Sequence, residues 1–282
     1  MKKSILFLIL LSVFGVSGTI EEGVQARKAK NYTKAIKIFE ELVNQEDSEA
    51  QLNLGFMYNN GLGVKQNYKK AIELYTLAAN QGDSKAQYNL ALMYKNGQGV
   101  KQNYKKAVEL FTLAANQGNP RAQYNLALMY FYAKGVKRNY KKAIELFTIS
   151  ANQGDSDAQF NLALMYKNGQ GVKQNYKKAI ELFTLSANQG DAFAQYNLAL
   201  MYKHGQGIKQ DYNKALELYT LAANQGYSGA QYNLGLLYYL GEGVKQNKIK
   251  AYQNWLKAAK SGHQDAQNNL DILCKESPWA CK

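Results

Sequence analysis

The sequence predicts an all-α chain built as a solenoid of antiparallel helix pairs, and three observations carry that prediction. The dipeptide Ala-Gln recurs every 36 residues, at Ala50, Ala86, Ala122, Ala158, Ala194, Ala230 and Ala266, and no insertion breaks the register. A fixed period of this size marks a repeat architecture before local propensity is consulted. Each period carries two apolar patterns at helical spacing, and a short glycine loop separates them.

The N-terminus is a different kind of segment. Lys2 and Lys3 precede an apolar run from Ile5 to about Val16, followed by the small residues Ser17 and Gly18. That order of charged, apolar and small residues is a secretory signal peptide, here with cleavage expected after Gly18. The alternative is an uncleaved anchor, but the run falls short of the roughly 20 residues a spanning helix needs. Removing it takes two of the 35 basic residues and leaves 33 against 21 acidic ones, a net charge of +12. The composition, 46% hydrophobic and 12% aromatic with only two prolines, suits a folded core rather than a disordered chain. The expected layout is a signal peptide at 1–18, a shorter helix pair at 19–49, six 36-residue units over 50–265 and a capping helix at 266–282.

One unit, Asp83 to Gly118, shows the elements in order. Ala86, Leu90, Met93 and Tyr94 are spaced i, i+4, i+7, i+8 and form one stripe of a first helix. Asp83 or Ser84 can cap its N-terminus, and in the next unit Asn119-Pro120 fits a cap followed by the first helical position. A second stripe, Ala107, Leu110, Phe111 and Ala114, starts after the candidate cap Asn103 and ends at Asn116-Gln117-Gly118. In 19–49, the stretch from Ala26 to Tyr32 leaves no room for the glycine loop.

The loop Gly97-Gln98-Gly99-Val100-Lys101 invites a phosphate-binding reading that its context rejects. A P-loop needs a preceding strand and a Gly-Lys-Ser/Thr ending, and a dinucleotide loop needs a third glycine. Here the glycines follow a helix, and the pair recurs at Gly61/Gly63, Gly169/Gly171, Gly205/Gly207 and Gly241/Gly243. They supply positive φ where the chain reverses, and the following Val100, Val172 or Ile208 is expected to plug the hairpin. Ala133/Gly135 departs from the pattern, so one of the two positions must tolerate a side chain.

The unit A-Q-Y-N-L-A-L-M-Y-x-x-G-x-G-V-x-x-N-Y-x-K-A-x-E-L-F resembles the Sel-one-like repeat (SLR), a relative of the tetratricopeptide repeat with a longer inter-helix loop. The resemblance covers residues 50 to about 275, and 19–49 is similar to a tetratricopeptide unit. It implies a right-handed superhelix of helix pairs that serves as a platform for protein partners, often secreted or in the bacterial envelope. Some cysteine-rich members have been described as penicillin-binding or β-lactamase-like, so the resemblance also carries an enzymatic alternative. Those relatives place a cysteine pair in each unit, whereas this chain has two cysteines in total. No Ser-x-x-Lys motif occurs, and neither His204 nor His263 has a motif partner for catalysis or metal ligation. The expectation is no enzyme, no cofactor and no metal.

Terminal units of a stacked array must differ from internal ones. Internal first helices carry Tyr88, Tyr124, Phe160, Tyr196 and Tyr232 where the last has Asn268, and Ala91, Ala127, Ala163 and Ala199 where it has Asp271. Those positions are expected to face the next unit, with the last helix a polar cap and Trp255 filling the place of Phe111. Cys274 and Cys281 close the chain around Pro278. In an exported protein they read as a disulfide, with free thiols or metal ligation as alternatives, and the bond would contribute about 2 kcal/mol.

Two rows remain as candidate surfaces. Asn53, Asn89, Asn125, Asn161, Asn197 and Asn233 stand at one first-helix position, and adjacent helices lie about 8–10 Å apart. They would either hydrogen-bond the backbone of an extended peptide or satisfy backbone groups between units. The second row is basic: Lys69 and Lys70, Lys105 and Lys106, Lys141 and Lys142, Lys177 and Lys178, all near second-helix N-termini. Lysine there opposes the helix dipole by a few tenths of a kcal/mol, partly offset by glutamates such as Glu109. This edge is either a solvated face or an attractor for an acidic protein partner, an anionic glycan or phospholipid headgroups. The sequence thus predicts a secreted or periplasmic, monomeric interaction scaffold with a protein partner, no nucleic acid and no stable membrane insertion.

Overall fold

Helix boundaries follow from the capping residues that each repeat supplies. In the computed structural model, residues 18–281 are described; the leader assigned to 1–18 lies outside them except for Gly18. The chain divides into two compact units, one ending at Asn119 and one beginning at Pro120. The first holds α1 (Ile20–Lys28), α2 (Tyr32–Val43), α3 (Ser48–Asn60), α4 (Tyr68–Asn80), α5 (Ser84–Asn96) and α6 (Tyr104–Asn116). The second holds α7 (Pro120–Tyr132), α8 (Tyr140–Asn152), α9 (Ser156–Asn168), α10 (Tyr176–Asn188), α11 (Ala192–His204), α12 (Tyr212–Asn224), α13 (Ser228–Leu240), α14 (Lys248–Lys260) and α15 (Gln264–Glu276). A 3-10 turn, Pro278–Cys281, follows, and no strand occurs among the described residues.

Aspartate opens four of the odd-numbered helices, α3, α5, α9 and α11. Asp47, Asp83, Asp155 and Asp191 accept from the backbone N–H of Ala50, Ala86, Ala158 and Ala194 at 2.7–2.9 Å. The even-numbered helices open on Asn67, Asn103, Asn139, Asn175, Asp211 and Asn247, each accepting from the N–H of the lysine three residues on. Each such bond satisfies a donor that the helix itself leaves open. Thr19 and Glu22 close a reciprocal capping box at the start of α1, and only Ala29–Asn31 separates α1 from α2.

The two loop glycines do different work. The first is a helix cap in the left-handed region: Gly97 has φ +70°, and a Cβ built there comes no closer than 3.3 Å to a neighbour. Ala133 occupies the same position at φ +58°, which identifies it as the tolerant one. The second glycine is a packing contact. A Cβ on Gly99 would lie 2.4 Å from Tyr68 Cβ of α4, and one on Gly171 would lie 2.2 Å from Tyr140 Cβ of α8. Stacking therefore brings these loops onto the preceding pair of their own unit too closely for a side chain. Val100, Val172 and Ile208 are half-buried, a lesser role than the plug expected of them.

Successive pairs within each unit share their cores. Phe183 of α10, fully buried, clusters with Ala163 of α9 and with Leu198 and Met201 of α11. Burial of a ring of this size contributes about 1.5–3 kcal/mol, while the alanines let the helices approach closely. Ala163 belongs to the core that the two pairs share, and the equivalent Gly235 lies against Trp255 of its own pair, so this position meets the partner helix rather than facing the next pair as expected. Phe160, by contrast, sits 5.9 Å from Phe183 within its own pair and 6.1 Å from Phe193 in the next. At the C-terminal end Trp255 is 2% exposed and donates from Nε1 to the Tyr232 carbonyl at 3.1 Å, so it is core, as its repeat position suggested. α15 turns Asn268 and Asp271 to solvent.

Candidate interaction surfaces

The structure divides the lysine pairs into two classes. The second lysine of each pair lies over the tyrosine near the end of the preceding odd-numbered helix: Lys70 over Tyr58 at 4.9 Å, Lys106 over Tyr94 at 4.6 Å, Lys142 over Tyr130 and Lys178 over Tyr166, each at 5.1 Å. Lys214 over Tyr202 and Lys250 over Tyr238 repeat the contact at 5.1 Å, although their neighbours are Asn213 and Ile249 rather than a lysine. Such a contact at an exposed site contributes about 0.5–1 kcal/mol, enough to outweigh the dipole penalty. Tyrosine thus supplies a compensation that the sequence alone did not indicate. Lys69, Lys105, Lys141 and Lys177 are exposed and take no part in this stacking.

The asparagine row also resolves. Asn53, Asn125, Asn161, Asn197 and Asn233 each donate from Nδ2 to the carbonyl four residues earlier in their own helix, at 2.8–2.9 Å. Asn53 and Asn125 are buried, while Asn89, Asn161, Asn197 and Asn233 are half-buried. Nδ2 of these five amides therefore serves its own helix, and some of the row also bridge neighbouring pairs. Two further contacts use the same row: Lys167 Nζ donates to Asn197 Oδ1 at 3.0 Å, and Asn161 Nδ2 reaches Tyr124 Oη at 3.4 Å. Burial holds the Lys167 ammonium below its ordinary pKa. Burial, then Asp157 and Asp155, push the Tyr124 hydroxyl up to about 12.

The polar ladder of this fold is built from glutamine, which the sequence reading passed over. Gln81 donates to Gln51 Oε1, Gln117 to Gln87, Gln153 to Gln123, Gln189 to Gln159 and Gln225 to Gln195, at 2.8–3.0 Å. The acceptor glutamine in turn donates backward: Gln159 to Ala151 O, Gln195 to Ala187 O and Gln231 to Ala223 O, at 3.1–3.2 Å. Gln87, Gln159 and Gln195 thus tie their own pairs together and fasten them to the preceding ones. The usable signal was the fixed offset between the Gln of Ala-Gln and the Gln of Asn-Gln-Gly. At the last step Ser261 replaces that glutamine, and the buried Gln231 Oε1 is left without a partner.

Cys274 and Cys281 are joined in a disulfide with a Cα–Cα separation of 5.7 Å. It pins the 3-10 turn against α14, where Lys248 Nζ donates to the buried Ser277 Oγ at 2.8 Å. The two histidines are far from any shared site: His204 is exposed, and His263 stacks on Tyr232 at 4.6 Å. Among the described residues no group of His, Cys, Asp and Glu is arranged to hold a metal ion, and no helix is long and apolar enough to cross a membrane.

Six consecutive segments, 48–83, 84–119, 120–155, 156–191, 192–227 and 228–263, match the Sel1 repeat. The chain belongs to the Sel1 repeat family. A protective antigen of uropathogenic Escherichia coli with an SLR fold is 34% identical over 92% of this chain, with a TM-score of 0.85. This chain spans 56% of that protein's length. A Sel1 repeat protein from Oxalobacter formigenes is 33% identical, covering 85% of this chain and 96% of its own, with a TM-score of 0.76. No curated protein matches the chain. Paired helices, repeat register and neighbours agree on the SLR α-solenoid as the fold class, and the Sel1 repeat is a scaffold typically used for protein–protein interaction.

Proposed function

We propose that this Sel1 repeat protein is an exported, non-catalytic scaffold that docks an acidic protein partner through the free lysine of each pair. The observation that carries this reading is the division of the lysine row. Lys70, Lys106, Lys142 and Lys178 are spent on tyrosine rings, so the helical hairpins account for them. Lys69, Lys105, Lys141 and Lys177 are exposed and oppose the helix dipole with no such return, which favours a role outside the fold. The asparagine row is assigned to helix support, because Nδ2 of Asn53, Asn125, Asn161, Asn197 and Asn233 is already committed.

Export is supported by two features. The disulfide suits an oxidising compartment, and the α1 capping box begins at Thr19, immediately after the expected cleavage point. The test is crosslinking of the full chain in its native compartment, followed by identification of what is captured and of the mature N-terminus. An acidic protein is expected, with affinity falling steeply as salt screens the contact and collapsing in the Lys69, Lys105, Lys141, Lys177 to Ser variant. Binding that stays level to several hundred millimolar salt, or recovery of anionic glycan or lipid alone, would refute the acidic-protein reading.

A further inference from the structure

The second unit carries an aromatic surface that the repeat does not require. Phe193, on the first turn of α11, is 54% exposed. Its ring lies 6.1 Å from Phe160 and 5.0 Å from Tyr227, whose ring lies 4.9 Å from Tyr196. Phe193 and Tyr227, the two central members, are departures from the repeat. The position of Phe193 holds Lys85 in α5 and Arg121 in α7, and the position of Tyr227 is the helix cap, held by Asp155 before α9 and Asp191 before α11. With Tyr227 in that place, α13 has no side-chain cap bond. Two local rules are thus broken at positions whose rings touch, and an exposed ring results.

Carboxylates flank the same surface. Asp157 stands one turn before Phe160 on α9 and replaces the cations of α5 and α7. Burial, then the nearby charges of Asp155 and Asp191, hold its pKa above the ordinary value. Asp191 Oδ1 also accepts from the N–H of Phe193 itself, at 2.7 Å. Aromatic faces and three neighbouring carboxylates, two of them also helix caps, together on a chain of net charge +14 select one chemistry. A guanidinium or ammonium group gains from the ring quadrupoles and the carboxylates at once, whereas a neutral group gains from the rings alone and an acidic one is repelled by the carboxylates.

We propose that the surface formed by Phe193, Tyr196 and Tyr227, flanked by Asp155, Asp157 and Asp191, receives an arginine or lysine side chain of a partner polypeptide. It rests on the scaffold reading and adds a second, oppositely charged contact to the lysine edge. The probe is an acetylated, amidated hexa-arginine peptide titrated into the full chain at low ionic strength. Saturable binding is expected, weakened by about tenfold or more in Phe193→Lys and in Asp157→Lys. Both variants install the residue that α5 carries at this position, so folding is retained. Tyr227→Asn, which supplies a cap for α13, should raise thermal stability while weakening the peptide. Leu113→Ser, an exposed position in the first unit, should bind as the parent does.

Equal binding by the parent, Phe193→Lys and Asp157→Lys would overturn the proposal. So would absence of saturation at millimolar peptide, or binding of a neutral hexasaccharide with the same residue dependence. The two readings fail separately. If the crosslinked acidic partner is retained while hexa-arginine shows no site, this surface falls and the scaffold stands. If hexa-arginine binds as expected but no protein is captured, the lysine-edge scaffold reading falls alone.

Discussion

The internal pair α9/α10 and the terminal pair α13/α14 solve the same packing problem with different residues. Internally, Ala163 meets the buried ring of Phe183; terminally, Gly235 takes the alanine's place and Trp255 the phenylalanine's. A Cβ on Gly235 would come within 2.4 Å of the indole, so the smaller residue is what admits the larger one. Volume across the helix crossing is conserved even though neither residue is. The polar positions behave otherwise. Gln189 serves Gln159 internally, but Ser261 leaves Gln231 Oε1 orphaned; Asp155 caps α9, but Tyr227 leaves α13 uncapped. The terminal pair has kept its packing and given up part of its hydrogen bonding.

What the two pairs share should be the costliest to disturb. Gly171→Ala, in the α9–α10 loop, places a methyl 2.2 Å from Tyr140 Cβ and holds it at φ +72°. Overpacking against a neighbouring helix together with left-handed strain should cost about 3 kcal/mol or more. Gly169→Ala, two residues earlier, should cost only about 1 kcal/mol, because Ala133 shows that its site accepts a Cβ. Urea denaturation of the two variants checks the difference, and equal losses would break the division of labour between the glycines.

The size exchange can be tested by transplanting the internal solution into the terminal pair. Trp255→Phe alone leaves a cavity and removes the bond to the Tyr232 carbonyl; Gly235→Ala alone drives a methyl into the indole. Each should cost about 2 kcal/mol. Together they recreate the Ala163–Phe183 contact, and the double variant should be more stable than the sum of the singles by about 1–2 kcal/mol. Additivity in that cycle would mean the two positions are independent.

The repeat period, the helix pairs, their caps and the glycine loop were legible because each is a local consequence of residue type at fixed spacing. Asp83 at a cap or Gly97 at a left-handed terminus needs no tertiary information. The side-chain rows were harder, for a physical reason. Asn89 and Gln87 recur with equal regularity, and spacing alone does not say which amide bonds its own helix and which reaches another. That choice depends on where Gln117 arrives after the hairpin closes, at 2.9 Å from Gln87 Oε1. Likewise Lys105 and Lys106 are equivalent in composition, and only the path of the Gly97–Val100 loop lays Tyr94 beneath one of them.

The orphaned ladder step offers a gain of stability. Ser261→Gln restores to the terminal pair the residue that closes the ladder in the others, with its donor directed at Gln231 Oε1. Satisfying a buried acceptor should stabilise the chain by about 1 kcal/mol. The same substitution should slow amide exchange at the end of α14, and no change in either would show that the terminal pair closes its polar core by another route.

The smallest expected effect separates the two lysines of a pair by sign. Lys178→Met removes the charge over Tyr166 and keeps the length of the side chain. The lost cation–π contact, about 0.5–1 kcal/mol, exceeds the relief of a few tenths of a kcal/mol at the helix N-terminus, so the variant should be slightly destabilised. Lys177→Met gains the same relief and loses no such contact, so it should be neutral or slightly stabilised. Charge–dipole terms weaken with salt, which predicts that any gain from Lys177→Met fades between low and high ionic strength. A lysine that costs the fold stability wherever it is free, yet recurs beside four stacked ones, is the residue whose loss should be felt first in partner binding.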